Sequence, residues 1–111
     1  ITPTPEHNTV LFYNIFVPSN TKKQKEQAID IVTEQLHTIQ QSAIKDVPIR
    51  YVLVAPNQTS QIAQQIEALP GCQNCKAIRQ VRQGNEELTL NQLHHHCHQH
   101  PNDRVVYIHS K

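Results

Sequence analysis

The residues best suited to metal or disulfide chemistry are Cys72 and Cys75, which form a Cys-x-x-Cys pair, and a histidine-rich stretch further along the chain. Two cysteines at this spacing form one half of many structural zinc sites. Cys97, His94 and His98 are the candidates for the other half, since residues 94 and 98 lie one helical turn apart. The sequence nevertheless disfavours structural zinc, because Cys97 falls on the predicted core face of its helix while the histidines flank it. A disulfide or two free thiols remain as alternatives.

Composition disfavours several other kinds of chemistry. The 111 residues include only 2 glycines, and no G-x-G-x-x-G or P-loop motif follows the first predicted strand. Classical dinucleotide binding and P-loop phosphoryl transfer are therefore disfavoured. The formal net charge of +1 argues against nucleic acid as a partner. The longest apolar run, residues 49–55, is far too short for a transmembrane segment.

Hydrophobic patterning predicts strands that alternate with helices. Apolar runs predict strands at 10–17, 49–55, 77–82 and 104–109, while apolar residues spaced by three and four predict helices at 22–44, between 59 and 70, and at 86–98. This order predicts a Rossmann-like α/β domain, β-α-β-α-β-α-β, over residues 10–111, preceded by an extended tail, 1–9. Right-handed crossovers give a four-stranded, mostly parallel sheet with helices on both faces. The strand order expected for it is 3-2-1-4, that of half a Rossmann-like sheet.

The predicted strand order also predicts where a ligand would bind. In open α/β sheets the ligand crevice lies beyond the carboxyl ends of the strands, at the point where the strand order reverses. Here that point lies between the first and fourth strands, which end at Pro18, Ser19 and Asn20 and at His109 and Lys111. The amino end of the first helix would supply free N–H groups for a phosphate, and Lys111 a positive charge.

Several segments together resemble a known family. They are Tyr13-Asn14-Ile15-Phe16-Val17-Pro18, Glu34-Gln35-Leu36, Gly84-Asn85-Glu86 followed by Thr89-Leu90, His100-Pro101, and Arg104-Val105-Val106-Tyr107-Ile108-His109-Ser110-Lys111. In these segments the chain resembles the amino-terminal half of algal proteins that are themselves similar to nucleotide-diphospho-sugar glycosyltransferases of the GT-A type. The resemblance covers most of residues 10–111.

The resemblance implies a half-domain that binds a nucleotide sugar together with a divalent metal, Mn²⁺ or Mg²⁺, and that is incomplete or inactive alone. It also implies a location in the secretory pathway, in a Golgi-type lumen. The positions that it carries over to the nucleotide site are Pro18, Ser19, Asn85, Glu86, His109 and Lys111.

A second hypothesis is a noncatalytic α/β accessory subunit, or an interaction module of a larger protein assembly. The short chain, the low glycine content and the glutamine-rich helices favour it. So does the lack of the Asp-x-Asp motif with which GT-A enzymes usually hold a metal and a diphosphate. Under this hypothesis the partners are proteins, and an organellar or soluble location is equally compatible.

Overall fold

A computed structural model describes residues 8–18 and 21–110. Four strands and three helices alternate along the chain. They are β1 (Thr9–Phe16), α1 (Lys22–Gln40), β2 (Ile49–Val54), α2 (Thr59–Glu67), β3 (Cys75–Val81), α3 (Glu86–Gln99) and β4 (Arg104–His109).

The strands form one parallel sheet in the order β3-β2-β1-β4, which confirms the predicted fold class and strand order. The central strand β1 pairs with both neighbours, so that Leu11 lies between Ile49 of β2 and Val106 of β4. The helices cover both faces: α1 and α2 pack on one, and α3 packs on the other. The carboxyl ends of all four strands therefore meet at one edge of the sheet.

The main apolar core lies between the sheet and the helices α1 and α2. Alternate residues of β1 and β2 point into it, including the fully buried Tyr13 and Tyr51. The helices contribute the stripes Ala28, Val32, Leu36 and Ile39 of α1 and Ile62, Ala63 and Ile66 of α2. These residues recur at steps of about three to four, which brings them to one side of each helix.

Helix α1 ends at Gln40, four residues before its predicted end at residue 44. The Ser42 hydroxyl donates to the carbonyl of Ile39 at 2.6 Å and accepts from the amide of Ile44 at 3.2 Å. These local bonds compete with the helical ones, so the chain leaves the helix at this serine. No described helix, including the 19-residue α1, is both long and apolar enough to be a membrane span.

Helix α3 has a different buried face from the predicted one. The sequence predicts burial of Leu90, Leu93 and Cys97, but Leu90 is exposed and the other two are half-buried, while Thr89 is fully buried. The cause is a polar residue in the middle of β1: Asn14 is buried, and its Nδ2 donates to Thr89 Oγ1 at 2.8 Å. A buried amide needs a partner, and this requirement sets which side of α3 faces the sheet.

Replacing Thr89 with Val should lower the free energy of unfolding by about 1–3 kcal/mol, because it removes the acceptor of a buried donor while keeping the side-chain shape. Chemical denaturation of both proteins measures the difference. The matched control is Thr38→Val on the exposed side of α1, for which we expect less than about 0.5 kcal/mol. Equal effects of the two substitutions would contradict this role of Asn14.

Candidate functional site

The carboxyl ends of β1 and β4 are joined by hydrogen bonds, at the edge where the sequence predicts the ligand crevice. The Ser110 amide donates to the carbonyl of Asn14 at 3.0 Å, and the Ser110 hydroxyl accepts from the amide of Phe16 at 2.9 Å. Ser110 is buried by this arrangement. The two chain segments are thus neighbours, as expected, although they are far apart in sequence.

The larger cavity at this edge lies on the α3 side and has a volume of about 440 Å³. Its walls come from β1, β2, the turn before α3 and the first turns of α3. They comprise Asn14, Phe16, Val54, Gly84, Asn85, Glu86, Glu87 and Leu90. Half of these residues are apolar or glycine and half are polar or charged.

The amino end of α3 supplies most of the polar groups of this cavity. Asn85 is the N-cap residue, and its Oδ1 accepts from the amide of Glu87 at 2.9 Å. Glu86 and Glu87 occupy the first turn, where carboxylates interact favourably with the helix dipole. Among the described residues, the cavity lining contains two carboxylates and neither lysine nor arginine. It therefore suits hydroxyl donors or a cation better than an unaccompanied phosphate.

Glu86 also connects the cavity with β4. Its Oε1 lies 3.5 Å from His109 Nδ1, which gives an ion pair when the imidazole is protonated. The Tyr107 side chain is on the same face of β4, and its hydroxyl is buried without a hydrogen-bond partner. Burial raises the pKa of Tyr107 to about 12, and the nearby negative charge of Glu86 adds to the rise. The carboxylate thus acts on the hydroxyl through its charge, since the geometry of a hydrogen bond is absent.

Gln35 of α1 holds the end of β4 in place from the other side of the sheet. The Tyr13 hydroxyl donates to Gln35 Oε1, and Gln35 Nε2 donates to the carbonyl of His109 at 3.0 Å. This bridge ties the central strand, α1 and β4 together. The bridge fixes the backbone of His109, whose side chain lies beside Glu86 on the other face of the sheet.

A second, smaller cavity of about 300 Å³ lies on the α1 side of the same edge. Phe16, Pro18 and Ser110 line it together with the first turns of α1. Thr21 is the N-cap residue of that helix, and its Oγ1 accepts from the Gln24 amide at 3.1 Å. The β1–β4 edge is thus flanked by two cavities, each next to the amino end of a helix.

The structure distributes the predicted site residues between these cavities. Asn85 and Glu86 line the larger one, His109 lies beside Glu86, and Pro18 lines the smaller one. Ser19, Asn20 and Lys111 lie outside the described residues.

Sequence reasoning missed Asn14, Tyr107 and Thr89 as site residues. Asn14 carried a readable signal, because it is the one polar residue in the apolar run 10–17. Tyr107 and Thr89 carried none, because their importance depends on which elements pack beside them.

The predicted zinc ligands do not come together. Cys72 and Cys75 form a disulfide between α2 and β3, on the side of the α1 and α2 core, whereas Cys97, His94 and His98 belong to α3 on the other face. Among residues 8–18 and 21–110, no three His, Cys, Asp or Glu side chains are arranged to hold a metal. Of the two alternatives left open for the Cys-x-x-Cys pair, the structure has the disulfide.

One family model matches residues 12–111, a stretch that contains the lining of both cavities. The chain belongs to the family described as Domain of unknown function (DUF8361). No curated protein and no solved structure matches it. The DUF8361 domain of this chain therefore includes all four strands, with the match beginning inside β1.

The disulfide predicts how many thiols of the DUF8361 domain react. Labelling of the denatured, unreduced protein with a maleimide should add one group, on Cys97, because the other two cysteines are paired. Mass spectrometry after prior reduction should find three groups. A Cys97→Ser variant, labelled without reduction, should then take up none. Three labels on the unreduced wild-type protein would contradict the disulfide.

Glu86→Gln should lower the pKa of Tyr107 from about 12 while leaving it above the ordinary 10.0, since burial is the larger cause. Burial raises the pKa values of Tyr13 and Tyr51 further, so Tyr107 ionises first as the pH rises. The ionisation of Tyr107 is measured as an increase in the near-ultraviolet absorbance of tyrosinate. In a Tyr107→Phe variant this first increase should be absent. The control is Glu87→Gln, which removes the adjacent carboxylate. If this variant lowered the pKa of Tyr107 as much as Glu86→Gln does, the role of Glu86 would be contradicted.

Proposed function

We propose that this chain is the nucleotide-sugar-binding half-domain of a GT-A-like glycosyltransferase and that the cavity at the amino end of α3 takes the nucleoside part of the donor. The observation that carries the proposal is the position of this cavity, at the carboxyl ends of β1 and β2 and beside β4 in a sheet of order 3-2-1-4. Open α/β sheets bind their ligands at this edge.

The cavity lining fits a nucleoside in size and in chemistry. A volume of about 440 Å³ lies in the range of small-molecule sites. Phe16, Val54 and Leu90 offer apolar surface for a base. Glu86 and Glu87 are acceptors for ribose hydroxyls, which are donors that a carboxylate binds well.

The two carboxylates also decide how a diphosphate would bind. Alone, they repel it. Mg²⁺ in phosphate-binding sites is usually held by one or two carboxylates together with phosphate oxygens, so Glu86 and Glu87 fit a site that is completed by the donor itself. The metal would neutralise the charge of the leaving diphosphate. This arrangement needs no group of three protein ligands, and the described residues contain none.

A specific observation also favours the second candidate, a noncatalytic interaction module. Among the described residues β4 pairs with β1 alone, and its residues 105–108 are only half-buried. Val105, Val106 and Ile108 thus make the middle of this edge strand apolar, while its charged residue, Arg104, is confined to its first position. A partner protein that extends the sheet at β4 would cover these side chains.

Titration of UDP-glucose in the presence and absence of Mg²⁺, followed by two-dimensional NMR of the labelled protein, tests the proposed function. We expect metal-dependent shifts at the backbone amides of residues 84–90. Glu86→Gln should weaken binding about tenfold, because it removes a charged acceptor.

The control variant is Glu34→Gln, which removes an exposed carboxylate of α1 outside this cavity and should bind like the wild type. Absence of shifts at about millimolar UDP-glucose with Mg²⁺ would overturn the nucleotide-sugar proposal. So would equal binding by the Glu86→Gln variant, since the ligand would then lie elsewhere.

A further inference from the structure

Three cations lie together on one face of the sheet, away from the cavities. Arg50 of β2 pairs directly with Lys76 of β3, and Val52, the next residue of β2 on that face, pairs with Arg79. Val52 and Val54 are buried but lie outside the core formed with α1 and α2, so this face is the one on which α3 packs. Lys76 and Arg79 are nevertheless exposed. We call Arg50, Lys76 and Arg79 the basic cluster.

A β-bulge creates this cluster. The register between β2 and β3 shifts after Tyr51, so that Ala77 pairs with Tyr51 while Arg79 pairs with Val52, and Ile78 is the extra residue. Residues three apart in a regular strand point to opposite faces. Because of the bulge, Lys76 and Arg79 point to the same face. Bulges often turn a side chain towards a functional surface in this way.

Within the described part of the chain, no carboxylate neutralises the basic cluster. None of its three side chains lies within 4.0 Å of a carboxylate in the described part of the chain. The Arg50 guanidinium donates only to the neighbouring carbonyl of Ile49, at 3.5 Å. Like charges on directly opposed residues destabilise a sheet. Repulsion between these cations therefore lowers the stability of the sheet, and a bound anionic partner would reduce that repulsion.

Helix α3 covers part of this sheet face but not the cations of β3. It contacts β1, β2 and β4, and Val52, which pairs with Arg79, is fully buried. Lys76 and Arg79 are nevertheless exposed, and β3 is the edge of the sheet, with β2 as its one partner among the described residues. The cluster therefore lies at the exposed margin of the sheet, beside an open strand edge.

We propose that the basic cluster is a docking surface for an extended acidic peptide segment of a partner protein, with carboxylates at alternate positions. The partners of Lys76 and Arg79 are two residues apart on β2, which sets the two cations about 6.8 Å apart along the sheet. Alternate side chains of an extended peptide have the same spacing. Charge and spacing both match this partner.

Single-stranded nucleic acid is a poorer match. Its non-specific binding combines cations with aromatic side chains on which bases stack. The residues of β2 and β3 on this face are Arg50, Val52, Val54, Lys76, Arg79 and Val81, and none of them is aromatic.

NMR titration with two threonine-rich heptapeptides of identical composition tests this proposal. One peptide has two glutamates at alternate positions; in the other they are one residue further apart and so point to opposite sides of an extended chain. We expect shifts at residues 50 and 76–81 with the first peptide and at least about fivefold weaker binding of the second. Equal affinities would overturn the proposal, because general charge attraction would then explain them.

A charge-neutral swap, Arg79→Gln with Gln80→Arg, provides the matched variant. It moves the cation to a residue that pairs with Leu53 and therefore points to the other face, while the net charge stays the same. Binding of the alternating peptide should fall about fivefold, with an unchanged circular dichroism spectrum. Undiminished binding by the folded variant would overturn the proposal. Tighter binding of oligothymidylate or of anionic phosphatidylserine vesicles by the wild type would overturn it in favour of another class of partner.

Discussion

The orientation of α3 depends on one buried hydrogen bond, between Asn14 of the central strand and Thr89 of the helix. An amide in the middle of an apolar sheet must find a partner, and the sheet face that it occupies has only α3 to offer one. Once Thr89 is over Asn14, the first turn of α3 lies over the ends of β1 and β2, and Glu86 reaches His109 of β4. Asn14 Nδ2 also lies 3.5 Å from the carbonyl of Asn85, so the Asn14 side chain contacts both the N-cap and the first turns of the helix that lines the larger cavity.

Charge is divided between two regions of the same sheet face. Carboxylates of the first turn of α3 line the cavity at the carboxyl edge, whereas cations of β2 and β3 occupy the area beside α3. The first region suits hydroxyl groups or a metal with its phosphate ligands, and the second suits carboxylates. The near-zero net charge of the whole chain conceals this division, because the two regions largely cancel. Functions inferred from overall charge alone therefore overlook both.

Much of the fold was readable from local patterns. The order of elements and the parallel sheet follow from apolar runs, helical spacing and the length of the crossovers, and the bounds of β4 agree to the residue. The strand order was predicted by likeness to half of a Rossmann-like sheet. The early end of α1 at Ser42 was not readable, because apolar spacing continues past that serine. Among the residues at the cavities, Asn85 and Glu86 were expected there from the family resemblance. Thr89 and Tyr107 were not, since nothing nearby in sequence marks them.

The sequence by itself determined the α/β architecture and the acidic start of α3. These depend on hydrophobic periodicity and helix capping, which act between residues close together in the chain. Only the tertiary structure decided that Thr89 rather than Leu90 faces the sheet, that Cys72 and Cys75 are bonded, and that Lys76 and Arg79 share a face. The physical reason is that a buried amide, a pair of thiols and a strand register each depend on a partner brought into place by folding.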